Sequence, residues 1–119
     1  MKINVVAEHA LHGSIVAKGI EGIKEEVLTR NFAKEITKQL IEKRHEVKYI
    51  AIDKAITTVQ ELKEEVLQIN TNESELNIVV HFNYYNGQAK GSEILTYKGK
   101  DIYNALWYAK RFKYSRVYR

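Results

Sequence analysis

Three short apolar runs alternate with two amphipathic stretches, and this alternation restricts the fold more than any other feature of the chain. Ile3 to Ala7 is rich in β-branched residues and precedes glycine-spaced sequence from Gly13 to Gly22, so it reads as a buried strand entering a loop. Between Glu25 and Arg44, Leu28, Phe32, Ile36 and Leu40 recur every four residues, with Ala33 and Ile41 widening the stripe. That spacing predicts an amphipathic helix with these residues facing inward. Glu46 to Ile52 has the alternation and β-branched content of a second strand. Thr58 and Glu61 form a capping-box pattern, and Val59, Leu62, Val66 and Ile69 then mark one face of a second helix running through Asn70. Leu76 to Phe82 is apolar apart from Asn77 and His81, as in a strand covered on both faces. Glu93 to Tyr97 predicts a fourth strand after the Asn86-Gly87 turn. Asp101 is placed to cap a last helix with Ile102, Ala105, Leu106, Ala109 and Phe112 inward. The order strand, helix, strand, helix, strand predicts an α/β fold with a mostly parallel central sheet flanked by helices.

At 119 residues with 45% hydrophobic side chains, the expectation is one domain spanning residues 1–119 with a modest core. No apolar run approaches the length of a membrane span. The stretch after Met1 is broken by Asn4 and ends at Glu8, too short for a signal peptide, so synthesis is expected to end in the cytoplasm. With no cysteine, disulfides and thiolate metal sites are excluded, and any metal must sit on His, Asp or Glu. The net charge of +4 is small but uneven. From Lys98 to Arg119 the tail carries Lys98, Lys100, Lys110, Arg111, Lys113, Arg116 and Arg119 against the single acid Asp101. No nucleic-acid recognition motif accompanies these residues, and an anionic polymer is the partner such a charge favours.

In open α/β sheets ligands bind outside the carboxyl ends of the strands. The first strand ends at Glu8-His9 and the third at His81, while Glu25 opens the first helix, whose N-terminus returns toward the same edge. Two imidazoles and a carboxylate are therefore expected together. A His, Glu, His set suits a catalytic zinc, because three protein ligands leave the fourth tetrahedral position for water. The plainer alternative is two ordinary strand-end histidines and a glutamate that complements the helix dipole.

Several segments together resemble a known family. They are Lys2 through His9, the loop to Gly22-Ile23-Lys24-Glu25, Phe32-Ala33-Lys34, Arg44-His45-Glu46-Val47, Asn77-Ile78-Val79-Val80-His81-Phe82-Asn83 and Gly91-Ser92-Glu93. They resemble, over roughly residues 2 to 98, the zinc-dependent N-acetylmuramoyl-L-alanine amidases found in autolysins and phage endolysins, which have a phosphorylase/hydrolase-like fold. The resemblance implies zinc on His9, Glu25 and His81. It also implies hydrolysis, in peptidoglycan, of the amide between the lactyl group of N-acetylmuramic acid and L-alanine, at the bacterial cell wall. His12, which stands before Gly13, is the alternative first histidine, and Glu26 the alternative carboxylate. Adjacent helical residues point about 100° apart, so Glu25 and Glu26 do not both face one metal.

The sequence departs from the family in two places. Val6-Ala7-Glu8 replaces the usual Asp-Pro-Gly before the first histidine. The family's second, late glutamate, thought to act as general base, also has no obvious counterpart. Glu93, after Gly91-Ser92, is the substitute expected to be catalytic, and an ordinary surface strand glutamate is the other reading. The loop Asn83-Tyr84-Tyr85-Asn86-Gly87-Gln88 is placed to line a groove for glycan and peptide, or to be a plain polar connection. Without a general base the chain would be a non-catalytic module that binds zinc or cell wall.

Overall fold

The computed structural model describes residues 1–9, 24–55 and 57–82, together with the backbone of strands at 92–95 and 115–118. The elements are β1 (Lys2–Ala7), α1 (Glu25–Glu42), β2 (Glu46–Ala51), α2 (Thr58–Thr71), β3 (Leu76–Val80), β4 (Ser92–Leu95) and β5 (Ser115–Tyr118). They fall in two compact units, Met1–Tyr84 and Tyr85–Arg119. In the first unit β2, β1 and β3 form, in that order, a three-stranded sheet. Both pairings are parallel, with Val5 opposite Tyr49 on one side and Ile78 on the other. The architecture is thus α/β with a parallel sheet flanked by two helices, as the alternation of the sequence requires. In the second unit β4 and β5 pair in parallel, Ser92 opposite Ser115 through Leu95 opposite Tyr118. β5 lies where the sequence shows only a cationic aromatic tail. The expected helix after Asp101 and the Asn83–Gln88 loop lie outside the described residues. No described helix is long and apolar enough to cross a membrane.

Side chains of a strand alternate between the two faces of a sheet. On one face Ile3, Val5 and Ala7 pack with Ala33 of α1, joined by Ile36, Leu40, Val47, Tyr49, Ile78 and Val80. On the opposite face Asn4 and Val6 are buried. The Asn4 amide donates to Asn72 O (3.1 Å), Ser74 Oγ (3.0 Å) and Asn77 Oδ1 (2.8 Å). Asn72 is the C-cap of α2 and returns a bond from its own Nδ2 to Asn4 Oδ1. One buried amide on the central strand therefore ties together the end of α2 and the start of β3.

Four expectations about packing need correction. In α1 the buried line is Glu25, Glu26, Thr29, Arg30 and Ala33, whereas Phe32 is 54% exposed and Ile41 equally so. Ile36 and Leu40 do pack on the core, so the stripe is displaced by about one residue in its N-terminal half, where polar groups face the strand ends instead. Phe32 turns to meet Phe82 edge-on, ring centroids 5.2 Å apart. In α2 the face is reversed: Val59 (61%), Leu62 and Val66 are exposed while Glu61 and Glu65 are each 5% exposed. The helix packs against β2 through the side that carries these two carboxylates. Its cap is Thr57 rather than Thr58, with Thr57 Oγ1 accepting from the N–H of Gln60 at 3.1 Å. β3 is not covered on both faces: Ile78 and Val80 are partly buried, whereas Asn77 and Val79 on the other face are exposed, Val79 by 49%.

Candidate metal centre

β1 is the central strand, with β2 on one side and β3 on the other. The chain thus reverses its direction of sheet growth at β1, and the crevice beyond the carboxyl ends of β1 and β3 is a topological switch point. Glu8 and His9 follow β1 there, His81 and Phe82 follow β3, and α1 begins with Glu25.

These residues converge. Glu25 Oε1 stands 3.3 Å from His9 Nε2 and 3.5 Å from His81 Nε2. The same oxygen accepts the backbone N–H of Phe82 at 2.9 Å, which fixes the carboxylate against the end of β3. The two imidazole rings lie 5.2 Å apart, tilted by 51°. Glu26, the alternative carboxylate, is also buried, but its Oε2 has no hydrogen-bond partner among the described residues. His12 lies outside the described residues. Glu93 is on β4, and its side chain is likewise outside them.

The geometry of the strand end depends on His9, whose φ is 69°. A non-glycine residue in the left-handed region is disfavoured by roughly 1–2 kcal/mol, so it needs support. Two side chains of α1 supply it. Thr29 Oγ1 donates to the carbonyl of Glu8 at 2.7 Å, and Arg30 Nη1 donates to the carbonyl of His9 at 2.6 Å. Arg30 also donates to Glu26 O (2.9 Å) and to Ile52 O (2.8 Å), beyond the end of β2. Asp53 Oδ1 is 3.4 Å from the guanidinium. One buried fork thus joins the ends of β1 and β2 to the first turns of α1.

A further carboxylate reaches the cluster. Glu8 Oε2 is 3.4 Å from His81 Nε2, and Glu8, His9 and His81 offer donor atoms that all lie within 4.8 Å of one another. Sequence reasoning named His9, Glu25 and His81 but missed Glu8, Thr29 and Arg30. For Glu8 no simple signal existed, because in an extended strand residues 8 and 9 point to opposite faces. The left-handed turn at His9 brings them back to one side.

Farther along, Glu65 of α2 is pushed up to about 7, chiefly by burial and then by the charges of Glu8 and Glu61, with Arg30 acting in the opposite sense. Its Oε1 and that of Glu61 have no hydrogen-bond partner among the described residues.

The donor set fits a divalent metal. Charge-assisted N–H···O bonds are about 2.7–2.9 Å long, shorter than the three histidine–carboxylate contacts at 3.3, 3.4 and 3.5 Å. Neighbouring donors around a tetrahedral zinc with bonds of about 2.0–2.2 Å are separated by roughly 3.3–3.5 Å. The three contacts fall within that range, and Glu8, His9 and His81 form a group whose donor atoms could hold a metal ion.

Fold and site together define an α/β protein with a two-histidine, carboxylate donor cluster at the switch point of a parallel sheet. Residues 10–117 match the family model of N-acetylmuramoyl-L-alanine amidases, and the chain belongs to that family. By kind it is therefore a peptidoglycan amidase, a hydrolase. No curated protein and no solved structure matches the chain.

Proposed function

We propose that the chain is a zinc-dependent amidase acting at the bacterial cell wall, where it hydrolyses the amide between the lactyl group of N-acetylmuramic acid and the L-alanine of the stem peptide. His9, Glu25 and His81 hold the zinc. The observation that supports this reading is the pair of distances from Glu25 Oε1 to the two Nε2 atoms, 3.3 and 3.5 Å, which are compatible with donors sharing one tetrahedral zinc. Membership of the amidase family supports it independently.

Hydrolysis breaks the C–N bond, adds the hydroxyl of water to the lactyl carbonyl carbon and leaves a proton on the departing L-alanine amine. Zinc, when bound, supplies Lewis acidity toward the amide oxygen and lowers the pKa of water. The chain's own residues provide the frame. Glu25 is held by the Phe82 N–H, so its negative charge stays fixed between the imidazoles. Thr29 and Arg30 hold the backbone that presents His9. Arg30 is a positioning residue in this scheme, since it grips a carbonyl and not the substrate. Glu93 is the carboxylate we assign to the proton transfer, on the strength of the sequence resemblance alone.

The test is zinc content together with release of free stem-peptide amino groups from purified peptidoglycan. Wild type is expected to hold one zinc and release amino groups, and a chelator stops the release until zinc is restored. His81→Ala loses both zinc and activity, while Glu93→Gln keeps zinc and loses about a hundredfold or more in rate. Undiminished hydrolysis after complete chelation overturns the zinc assignment. Bound zinc without any release of amino groups favours a wall-binding module in place of the enzyme.

A further inference from the structure

Glu8 is tied to both elements that carry the other donors. Its backbone N–H donates to Val80 O at 3.3 Å, one residue before His81, and its carbonyl accepts from Thr29 Oγ1 at 2.7 Å on the helix that begins with Glu25. The side chain then reaches back so that Oε2 stands 3.4 Å from His81 Nε2. That nitrogen also faces Glu25 Oε1 at 3.5 Å. A neutral imidazole nitrogen has either one N–H or one lone pair, so it can make a good hydrogen bond to at most one of the two oxygens. At these separations it makes a short charge-assisted bond to neither. Two carboxylates crowded on one imidazole repel each other unless a positive charge lies between them.

We propose that Glu8 is a fourth protein donor to the metal. The two imidazoles and two carboxylates then close the centre while no substrate is bound. The inference rests on the zinc centre formed by His9, Glu25 and His81 and goes beyond it, because a three-donor site is open whereas this one is gated by a side chain. The donor atoms of Glu8, His9 and His81 all lie within 4.8 Å of one another, so at most a small side-chain rotation accompanies closure. Rotation is available to Glu8 because its side chain is only partly buried, 26% exposed against 10% for Glu25. Glu25, pinned by Phe82, is the permanent ligand, and Glu8 is the one a substrate oxygen can displace.

The experiment uses the full chain, stripped with a chelator and reloaded with zinc or with cobalt(II). In wild type, cobalt(II) gives the visible absorption of a four-donor tetrahedral site, and added thiocyanate leaves that spectrum unchanged. In Glu8→Gln the zinc Kd, measured by competition with a chromophoric chelator, rises about tenfold or more. The cobalt spectrum of this variant changes, and it now responds to thiocyanate. A Glu8→Gln protein with the wild-type spectrum overturns the proposal whether or not its zinc affinity falls, because affinity alone can change through an outer carboxylate. A wild-type cobalt spectrum that shifts with thiocyanate overturns it even where the variant does not fold. Failure of the underlying zinc reading is distinct: wild type then takes up neither metal, or His81→Ala takes up as much as wild type.

Discussion

Arg30 Nη1 donates to the carbonyl oxygen of His9 at 2.6 Å, from a side chain that is almost wholly buried. A helix residue thereby holds the one left-handed residue at the end of the central strand. The same guanidinium reaches Ile52 O, so the orientation of His9 is referenced to β2 as well as to α1. The contact links helix packing to the candidate metal centre without involving a side-chain atom of His9, Glu25 or His81.

Replacing Arg30 by Lys is accordingly not a conservative change. An ammonium is compact, and it cannot reproduce a planar fork that donates to the carbonyls of His9, Glu26 and Ile52 at once. Arg30→Lys is expected to cost about 1–3 kcal/mol in urea unfolding, as buried acceptors lose their partners. Its zinc affinity is expected to fall by about ten- to a hundredfold, as for loss of an outer-shell contact. Unaltered zinc affinity in a folded variant would show that His9 does not depend on the clamp.

The packing of α1 yields a comparison within one helix. Phe32 is 54% exposed, and its ring meets Phe82 edge-on, so Phe32→Ala is expected to cost only about 0.5–1.5 kcal/mol. Its neighbour Ala33 is fully buried against Ile3, Val5 and Ala7. Ala33→Leu forces extra carbons into that contact and is expected to cost about 1–3 kcal/mol. Denaturant midpoints that rank the two variants the other way would contradict the helix orientation described above.

That orientation marks the boundary of what the sequence discloses. Periodicity located the elements well: the run from Ile3 to Ala7 became β1 at Lys2–Ala7, and Leu76 to Phe82 contained β3 at Leu76–Val80. Strand ends and a helix start then brought His9, Glu25 and His81 to one edge, since topology follows from alternation of elements. The buried faces were less legible. The rule that apolar stripes turn inward holds for Ile36 and Leu40, but it fails for Phe32 and for Val59, Leu62 and Val66 of α2. In both places polar groups near the strand ends, Thr29 and Arg30 in one helix and Glu61 and Glu65 in the other, occupy the inward side. Glu8 was hidden for a different reason, a single backbone angle at His9 that no side-chain pattern encodes.

Asn4 gives a test of the sheet's other face. It is fully buried, and its amide supplies Asn72 O, Ser74 Oγ and Asn77 Oδ1. Asn4→Leu keeps the heavy-atom branching of the side chain but leaves those acceptors and the Asn72 amide without their buried partner. A loss of about 1–3 kcal/mol in urea unfolding is expected, even though the substitution makes the core more apolar. A variant as stable as wild type would mean that water replaces the amide fully.

The carboxyl group of Glu65 gives the chain a pH signature of its own. Burial, reinforced by the charges of Glu8 and Glu61, lifts its pKa from an ordinary 4.5 to about 7. Between these values the folded protein keeps a proton that the unfolded chain has released. Stability must then fall as pH rises through that window. The contribution is fully present below about 4.5 and is lost as pH passes about 7. Glu65→Gln carries no charge in either state, so it escapes the loss. Melting temperatures measured in chelator, to remove any contribution from metal, should match wild type at low pH apart from a constant offset. The variant should then gain progressively on wild type up to about pH 8. An offset that stays constant across the whole range would show that Glu65 is ionised in the folded protein like an exposed glutamate, and that the inward face of α2 is wetter than its burial implies.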